Sequence, residues 1–392
     1  MFALTNTVQA YPWGAPDGVA DLVGRAPSGG PEAELWIGSH PAAPSRLDDG
    51  RTLDAVEGKE AEAILGAEVV ERFGVRLPFL LKLLAIGAPL SIQLHPSAEQ
   101  AEAGFAREEA SGRARDDPGR SYRDAYTKPE VLVAVRPMWV LAGLRPGADA
   151  AAALRGLDDP AVADLARLVA DAPDARDALI ALVTAPEQQG AVWAQAASSA
   201  ADEGDPALGW VSRLARQHPG DPTALVPLVL RLHRLEPGDG VFLPAGVPHA
   251  YLDGAGVELM GASDNVVRGG LTSKHVDEEE LVALLAPPGT DAARLAGDDV
   301  APGTRRYAPG VAEITLHRID PAGGPVRAPE RPPGPALAFA LGAAAEVASS
   351  GERTILDHGR AALVPADERE GCVLTGPGTV WWATIGDVSP GA

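Results

Sequence analysis

A single cysteine, Cys372, serves a chain of 392 residues. One thiol cannot close an internal disulfide, nor can it supply the paired cysteines of a structural zinc motif. With no histidine near it in sequence, Cys372 reads as a small buried hydrophobe rather than a nucleophile. Lysine is nearly as scarce, at four of the 33 basic residues: Lys59, Lys82, Lys128 and Lys274. A buried lysine can give up its proton and an arginine cannot, so the few lysines kept are candidates for positions where arginine will not serve. Long apolar runs are missing too. The most apolar stretch, residues 77–92, is broken by Pro78, Lys82, Gly87 and Pro89 and is too short to span a bilayer. The opening Met1-Phe2-Ala3-Leu4-Thr5-Asn6 has neither the basic nor the apolar region of a signal peptide, so the expected compartment is the cytoplasm. Neither a Walker-type phosphate loop nor a Gly-x-Ser-x-Gly elbow occurs.

What is present is an ordinary globular composition, 46% hydrophobic and 22% charged, at a length that allows two or three domains. The charge is not ordinary. Acidic residues number 54 against 33 basic ones, a net charge of −21. Such a surface repels nucleic acid and anionic membranes, which leaves a small molecule as the expected partner. A phosphorylated substrate would need a local basic cluster to reverse the field.

Short apolar runs between Gly, Pro and Asp breaks predict strands up to about residue 95. Ser97-Ala98-Glu99-Gln100 predicts a capping box opening a helix to about Glu109. Residues 110–123 are polar with two glycines and a proline, and read as a mobile loop and candidate lid. Lys128 to Val135 reads as a strand. From 147 to 235, Ala and Leu recur at helical spacing, which predicts an insertion of five or six helices with a supporting role. Strands return at Asp239, with a helix near Asp277–Leu285 and a Pro/Gly/Asp-rich stretch at 287–303. Gly238 and Pro244 lead into Ala245-Gly246-Val247-Pro248-His249, and Gly359 and Pro365 repeat the first half of that pattern without the histidine. Two related β units would follow, one with a ligand at the turn and one without.

Gln93 and His95 lie two apart on a predicted strand and therefore share a face, as do Lys128 and Glu130 on another. His249 follows a Pro-x-Gly turn. Two histidines, a carboxylate and an amide oxygen suit a divalent metal, and a catalytic zinc keeps a position open for substrate. Spacing alone is equally served by a polar patch and a turn histidine. A second cluster, Ser263 to Lys274, carries Asp264, Asn265, Arg268 and Lys274, and reads either as a charged site loop or as a polar loop of Asx turns. Trp13, in Tyr11-Pro12-Trp13-Gly14, is a candidate for stacking on a sugar, with core packing as the other reading. His40, His218, His233, His275, His317 and His358 have no partner spacing and read as structural.

These motifs together resemble the type I phosphomannose isomerases, a zinc-dependent family of the cupin superfamily. The resemblance runs through Tyr11-Pro12-Trp13-Gly14, residues 33–41 (Ala-Glu-Leu-Trp-Ile-Gly-Ser-His-Pro), residues 77–82, Pro89 to Pro96, Lys128-Pro129-Glu130, Pro244 to Tyr251 and Ser263 to Lys274. It implies a mainly β fold of two cupin-type (jelly-roll) barrels with an α-helical insertion. The expected division is a catalytic barrel in two parts (1–146 and 236–300), the helical insertion (147–235) and a metal-free C-terminal barrel (301–392). It implies one zinc ion per chain on Gln93, His95, Glu130 and His249, with Arg268 catalytic and Ser91, Lys274, Tyr251, Asp264 and Glu34 around the sugar phosphate. Lys82 is a lesser candidate. The family's Asn-His before Lys-Pro-Glu is Tyr126-Thr127 here, so no proton transfer can be given to a histidine at that place. Pro has become Ser273 in the loop that keeps Lys274.

The implied reaction, aldose–ketose isomerisation through a cis-enediol(ate), needs a Lewis acid at O1 and O2, a fixed cation and a base. Lys128 is the candidate base. Two other classes remain: a non-enzymatic sugar-phosphate-binding cupin, and an iron-dependent cupin dioxygenase, against which Gln93 as a fourth ligand argues. The acidic surface and the lack of a coiled coil favour a monomer.

Overall fold

In a computed structural model of the protein, which describes residues 1–200, 204–349 and 351–387, one strand of 13 residues, His249–Gly261, links the elements that build the interior. Its second half lies between Phe79–Ile86 and Glu130–Ala134, with Glu258 opposite Lys82 on one side and Leu132 on the other. An irregularity between Tyr251 and Asp253 breaks the register, and the first half pairs instead with Met138–Leu144 and with Gln93. The strand therefore serves two parts of the same eleven-stranded sheet. The described residues also form an eight-stranded and a four-stranded sheet, and the strand pairs among them are antiparallel. The mainly β expectation is borne out.

The helices fall where the Ala/Leu spacing puts them: Gly147–Gly156, Ala163–Val169, Arg176–Val183, Glu187–Ser198 and Pro206–Gln217, with 3-10 turns at Pro160–Val162 and Pro222–Leu228. Asp159 caps the first of those turns by accepting from Ala161 N, ahead of Pro160. The helices share one core with Ile92, Leu94, Ala250, Leu252 and Val267. Those five residues alternate along their strands with Gln93, His95, His249, Tyr251 and Arg268. Because strand side chains alternate faces, the helical layer grips one side of the strands whose other side carries the chemistry.

A second core joins the eleven-stranded sheet to the eight-stranded one, through Leu81, Leu83, Val131, Val133, Val257 and Leu259 against Leu337, Phe339, Leu363 and Trp381. The C-terminal strands thus cover one face of the first sheet. Phe2–Thr5 belongs to that covering sheet, pairing with Ala361–Val364. The repeat read from sequence has a structural counterpart. Gly238 and Gly359 both take positive φ ahead of a four-residue strand, Gly240–Leu243 and Ala361–Val364, and a proline follows each strand.

The capping box at Ser97 is present, opening helix Ala98–Ala110. The loop that follows is anchored at its far end. Arg120 is buried, donates to Tyr122 O at 2.7 Å and pairs with Glu108 at 3.2 Å. Glu108 in turn accepts from Ser121 N and Tyr122 N. Residues 111–116 are exposed, as their polar composition suggests, whereas Arg120 and Glu108 are spent on partners within the protein. Residues 287–303, expected as a separating stretch, also contribute strands, Ala293–Leu295 and Asp298–Ala301.

His317 lies inside the C-terminal part, where burial and then Arg306 push its imidazole pKa down to about 4. The unfolded chain takes up this proton near pH 6.5, the folded chain only near pH 4, so stability falls as pH is lowered through that window. Metal-free wild type is expected to lose up to about 3 kcal/mol relative to His317→Gln between pH 7 and pH 4. Melting temperatures measured across that range check it, and a pH-independent difference would contradict it.

Candidate active site

Glu130 opens its strand at the end nearest His249, and three cationic or cation-capable groups converge on its carboxylate. His95 Nε2 lies 3.2 Å from Oε1, His249 Nε2 lies 3.4 Å from Oε2, and Lys128 Nζ lies 3.1 Å from Oε1. Glu130 and His249 open their strands, and His95 and Lys128 lie just outside theirs. The ligand atoms of His95, Glu130 and His249 lie within 4.8 Å of one another and all three residues are buried. Two atoms bound to a tetrahedral zinc at about 2.1 Å stand about 3.4 Å apart, so the spacing suits a metal.

The donor chemistry fits as well. His95 Nδ1 meets Asn265 O at 2.7 Å, and His249 Nδ1 meets Val247 O at 3.0 Å. A carbonyl can only accept, so each Nδ1 carries the proton and each Nε2 offers a lone pair. His95 Nε2 is buried with no hydrogen-bond partner among the described residues. Burial and then Lys128 push the His95 pKa down to about 4, which keeps it neutral. Burial raises the Glu130 carboxyl, but Lys128 and the two histidines outweigh it and hold the group well below the usual carboxylate range. The backbone of Gln93 pairs with His249 on one side and Arg268 on the other, and its side chain faces the same cavity.

That cavity is lined by Glu34, Lys82, Gln93, Lys128, Glu130, His249, Tyr251 and Glu258, with Leu84 and Leu90. Behind the metal-binding group runs a buried charge network. Lys82 Nζ lies 3.6 Å from Glu34 and 3.5 Å from Glu258. Tyr251 OH donates to Glu258 at 2.8 Å and lies 3.3 Å from Glu130. Trp36 Nε1 donates to Glu34. Burial, with Glu130 nearby, pushes the Glu258 pKa up to about 6 against the pull of Lys82. Desolvation would lower the Lys82 pKa, but Glu34 and Glu258 raise it above the ordinary lysine value.

The remaining sequence candidates lie around this cavity rather than on its lining. Trp13 packs beside Leu90 and Tyr251, stacked against Tyr11 with ring centroids 5.8 Å apart. Ser91 is half-buried two residues before Gln93. Asp264 pairs with His40 Nε2 at 3.2 Å. Burial raises the Asp264 pKa, but His40, Lys128 and Arg123 bring it down. Burial, then the charge of Arg123, lowers the pKa of Arg268, and the same causes together with Arg268 lower that of Lys274. Arg123, Arg268 and Lys274 therefore form a cationic cluster, and none of them enters a salt bridge among the described residues.

Residues 1–147 match the sequence model of a family described as phosphomannose isomerase type I, catalytic domain. The mannose-6-phosphate isomerase of Salmonella typhimurium is 37% identical over 294 residues, covering 72% of this chain and 74% of that one. This chain belongs to the phosphomannose isomerase family. A mammalian member, the mannose-6-phosphate isomerase of Rattus norvegicus, is 30% identical over 361 residues and 82% of each chain. Among solved structures, a zinc-bound mannose 6-phosphate isomerase superposes with a TM-score of 0.86 at 30% identity, covering 98% of this chain and 99% of that one. The Salmonella typhimurium enzyme bound to fructose 6-phosphate and zinc gives 0.84 at the same identity and coverage. The chain therefore shares the cupin fold of its family.

Sequence reasoning did not single out Glu258, His40 or Arg123. Glu258 had a signal: a lone carboxylate in Val257-Glu258-Leu259-Met260, an otherwise apolar strand segment. Arg123 was absorbed into a loop read as polar, and His40 finds its partner only through the fold.

Both histidines hang on the turn at Gly246. Its N–H donates to His95 O at 2.8 Å, and its φ is +72°. A Cβ there would come within 2.4 Å of Leu284 O. Gly246→Ala is expected to weaken retention of a divalent metal by roughly tenfold or more. Metal content after dialysis checks it, with Gly289→Ala as control: φ is +87° there and nothing lies within 4 Å of the added carbon. Equal retention in both variants would contradict the link to the histidines.

Proposed function

We propose that this protein is a zinc-dependent aldose–ketose isomerase that interconverts mannose 6-phosphate and fructose 6-phosphate through a cis-enediol(ate). The observation that carries the reading is the convergence of His95, His249 and Lys128 on the buried carboxylate of Glu130. The names of its relatives support it, as does the Salmonella typhimurium structure that holds zinc and fructose 6-phosphate.

His95, Glu130 and His249 would hold the zinc, with the amide oxygen of Gln93 as fourth ligand. A zinc ion there supplies Lewis-acid polarisation of the sugar's O1 and O2. Lys128 takes the proton from C2 of the aldose and returns it to C1, while the O2 hydroxyl proton moves to O1. Arg268 stabilises the negative charge that develops on those oxygens. Lys274 and Arg123 bind the phosphate, giving the local positive field that a chain of charge −21 otherwise lacks. Glu34, Tyr251, Ser91 and Asp264 orient the hydroxyls, and Trp13 closes one wall.

The Tyr126-Thr127 departure costs this scheme nothing. Thr127 donates its hydroxyl to Pro96 O at 2.8 Å, and the ring of Tyr126 lies 3.4 Å under the Arg76 guanidinium. Both act as structural groups, so the proton stays with Lys128.

The same reading divides the chain into a catalytic cupin unit (1–146 and 236–300), a helical insertion (147–235) and a metal-free C-terminal unit (301–392). Phe2–Thr5 crosses over to the last of these. The protein would act as a cytoplasmic monomer.

A coupled assay on mannose 6-phosphate tests the function. Turnover is expected in the zinc-loaded protein, lost on chelation and restored by zinc. Saturable binding without conversion would make the protein a binding module, and oxygen consumption by an iron-loaded form would make it a dioxygenase; either overturns the reading. For the base, Lys128→Met in the zinc-loaded protein is expected to lower kcat by roughly 10²–10⁴-fold with KM changed only a few-fold. Comparable losses in both would leave Lys128 a binding role alone.

A further inference from the structure

We propose that His40 is a positioning residue of the active site, one that holds the Asp264 carboxylate so that its free oxygen accepts from a hydroxyl in the middle of the sugar phosphate. The inference rests on the isomerase reading above and adds to it a residue outside the metal-binding group. His40 sits in the turn after strand Glu34–Ile37 and is buried. Two hydrogen bonds close that turn: Ser45 N donates to Gly38 O at 2.8 Å, and Gly38 N donates to Ser45 Oγ at 3.0 Å. Trp36 packs edge-on against the imidazole, with ring centroids 4.8 Å apart.

The ring nitrogens of His40 are used in the opposite sense from those of the metal-binding histidines. Ala42 N donates to His40 Nδ1 at 3.3 Å. A backbone N–H can only donate, so Nδ1 keeps its lone pair and the ring proton sits on Nε2. Nε2 is the atom that lies 3.2 Å from Asp264 Oδ1. His95 and His249 carry their protons on Nδ1 and offer Nε2 to a metal, whereas His40 donates from Nε2. The backbone of Asp264 is braced separately, its N–H donating to Asp124 at 2.9 Å. With Oδ1 engaged, Asp264 Oδ2 has no partner among the described residues, and the side chain is 45% exposed. One oxygen is anchored and the other is open to a ligand.

The surroundings of Asp264 say what that ligand is. A carboxylate oxygen accepts, so the ligand donates. Burial raises the Asp264 pKa, but His40 first, then Lys128 and Arg123, bring it below the ordinary value and keep the group ionised. Lys128 stands at the metal-binding end, 3.1 Å from Glu130, whereas Arg123 belongs to the cationic cluster with Arg268 and Lys274. Asp264 is close enough to both to feel their charge. Burial and then Glu34 raise the pKa of the Tyr11 phenol, and Asp264 adds to them, so Asp264 and a residue lining the cavity act on the same hydroxyl. A carboxylate in the field of both cations repels a phosphate and suits an uncharged hydroxyl. The hydroxyls between the reacting carbons of the substrate and its phosphate meet that description. His40 sets where their acceptor stands.

Steady-state kinetics of the zinc-loaded protein on mannose 6-phosphate test this. His40→Asn keeps an acceptor for the Ala42 N–H but loses reach to Asp264, whereas His40→Gln extends an amide nitrogen toward the place of Nε2. His40→Asn is expected to raise KM roughly tenfold, the loss of one hydrogen bond to a charged group, with kcat changed only a few-fold. His40→Gln is expected to recover most of that loss. Asp264→Asn is expected to raise KM by a similar factor, and His40→Asn added to it to raise KM no further. Additive losses in the double variant, or equal losses in His40→Asn and His40→Gln, make His40 a packing residue and overturn the proposal. The tautomer is read without changing His40. In the ¹⁵N-histidine spectrum of the zinc-loaded protein at mildly alkaline pH, the ring whose signals move in Asp264→Asn is expected to be protonated at Nε2 alone. A ring protonated at Nδ1 overturns the proposal by itself. Absence of turnover in zinc-loaded wild type overturns the isomerase reading and this proposal with it, whereas wild-type turnover with any of the adverse results above overturns this proposal alone.

Discussion

Glu130 sits 3% exposed at the end of an apolar strand, where an unpaired ionised carboxylate would cost several kcal/mol. The neighbouring groups offset that cost in a definite order. Lys128 and the two histidines keep the charge on Glu130, and this arrangement leaves Glu258, a strand away, as the carboxyl that burial and the Glu130 charge push up to about 6. Lys82 then divides its charge between Glu34 and Glu258. Three carboxylates and two ammonium groups share one cavity, so the pocket is short of positive charge by itself. A divalent ion held by His95, Glu130 and His249 would correct that deficit. The same excess of carboxylates that makes the apo site costly is what gives a cation its hold.

Geometry for this comes from alternation. Ile92, Leu94, Ala250 and Leu252 point into the helical core, and the residues between them point into the cavity. Val131, Val133, Val257 and Leu259 point into the core shared with the C-terminal sheet, and Glu130 and Glu258 point away from it. The site is thus clamped from two sides by layers that contribute no ligand. The helices at 147–217 act as the support their composition suggested: their apolar face packs against the strands carrying Gln93, His95 and His249.

Much of this was legible because strand period and turn chemistry are local. Gln93 with His95, and Lys128 with Glu130, could be assigned to shared faces from spacing alone, and the capping box at Ser97 holds in detail. Long-range register was not legible. Glu258 becomes a site residue only because Lys82 lies opposite it, and Phe2–Thr5 joins Ala361–Val364 from the far end of the chain. The same limit hid His40 and Arg123. Residues 110–123 are exposed over their first half, but at the far end Arg120, Glu108 and the adjacent amides satisfy one another through contacts that composition does not show.

Asn265 shows how these pieces become one unit. It is fully buried, and its backbone oxygen accepts from His95. Its side-chain oxygen accepts from the amides of Arg123 and Asp124, and its side-chain nitrogen donates to the carbonyls of Asp124 and Tyr126. One amide thus fixes the tautomer of a metal-binding histidine and the path of the chain that enters Lys128 and Glu130. Arg123, whose charge is felt at Arg268 and Lys274, leaves from the same junction. A network satisfied at every atom is rigid, and this one ties His95 to the segment that leads into Lys128 and Glu130.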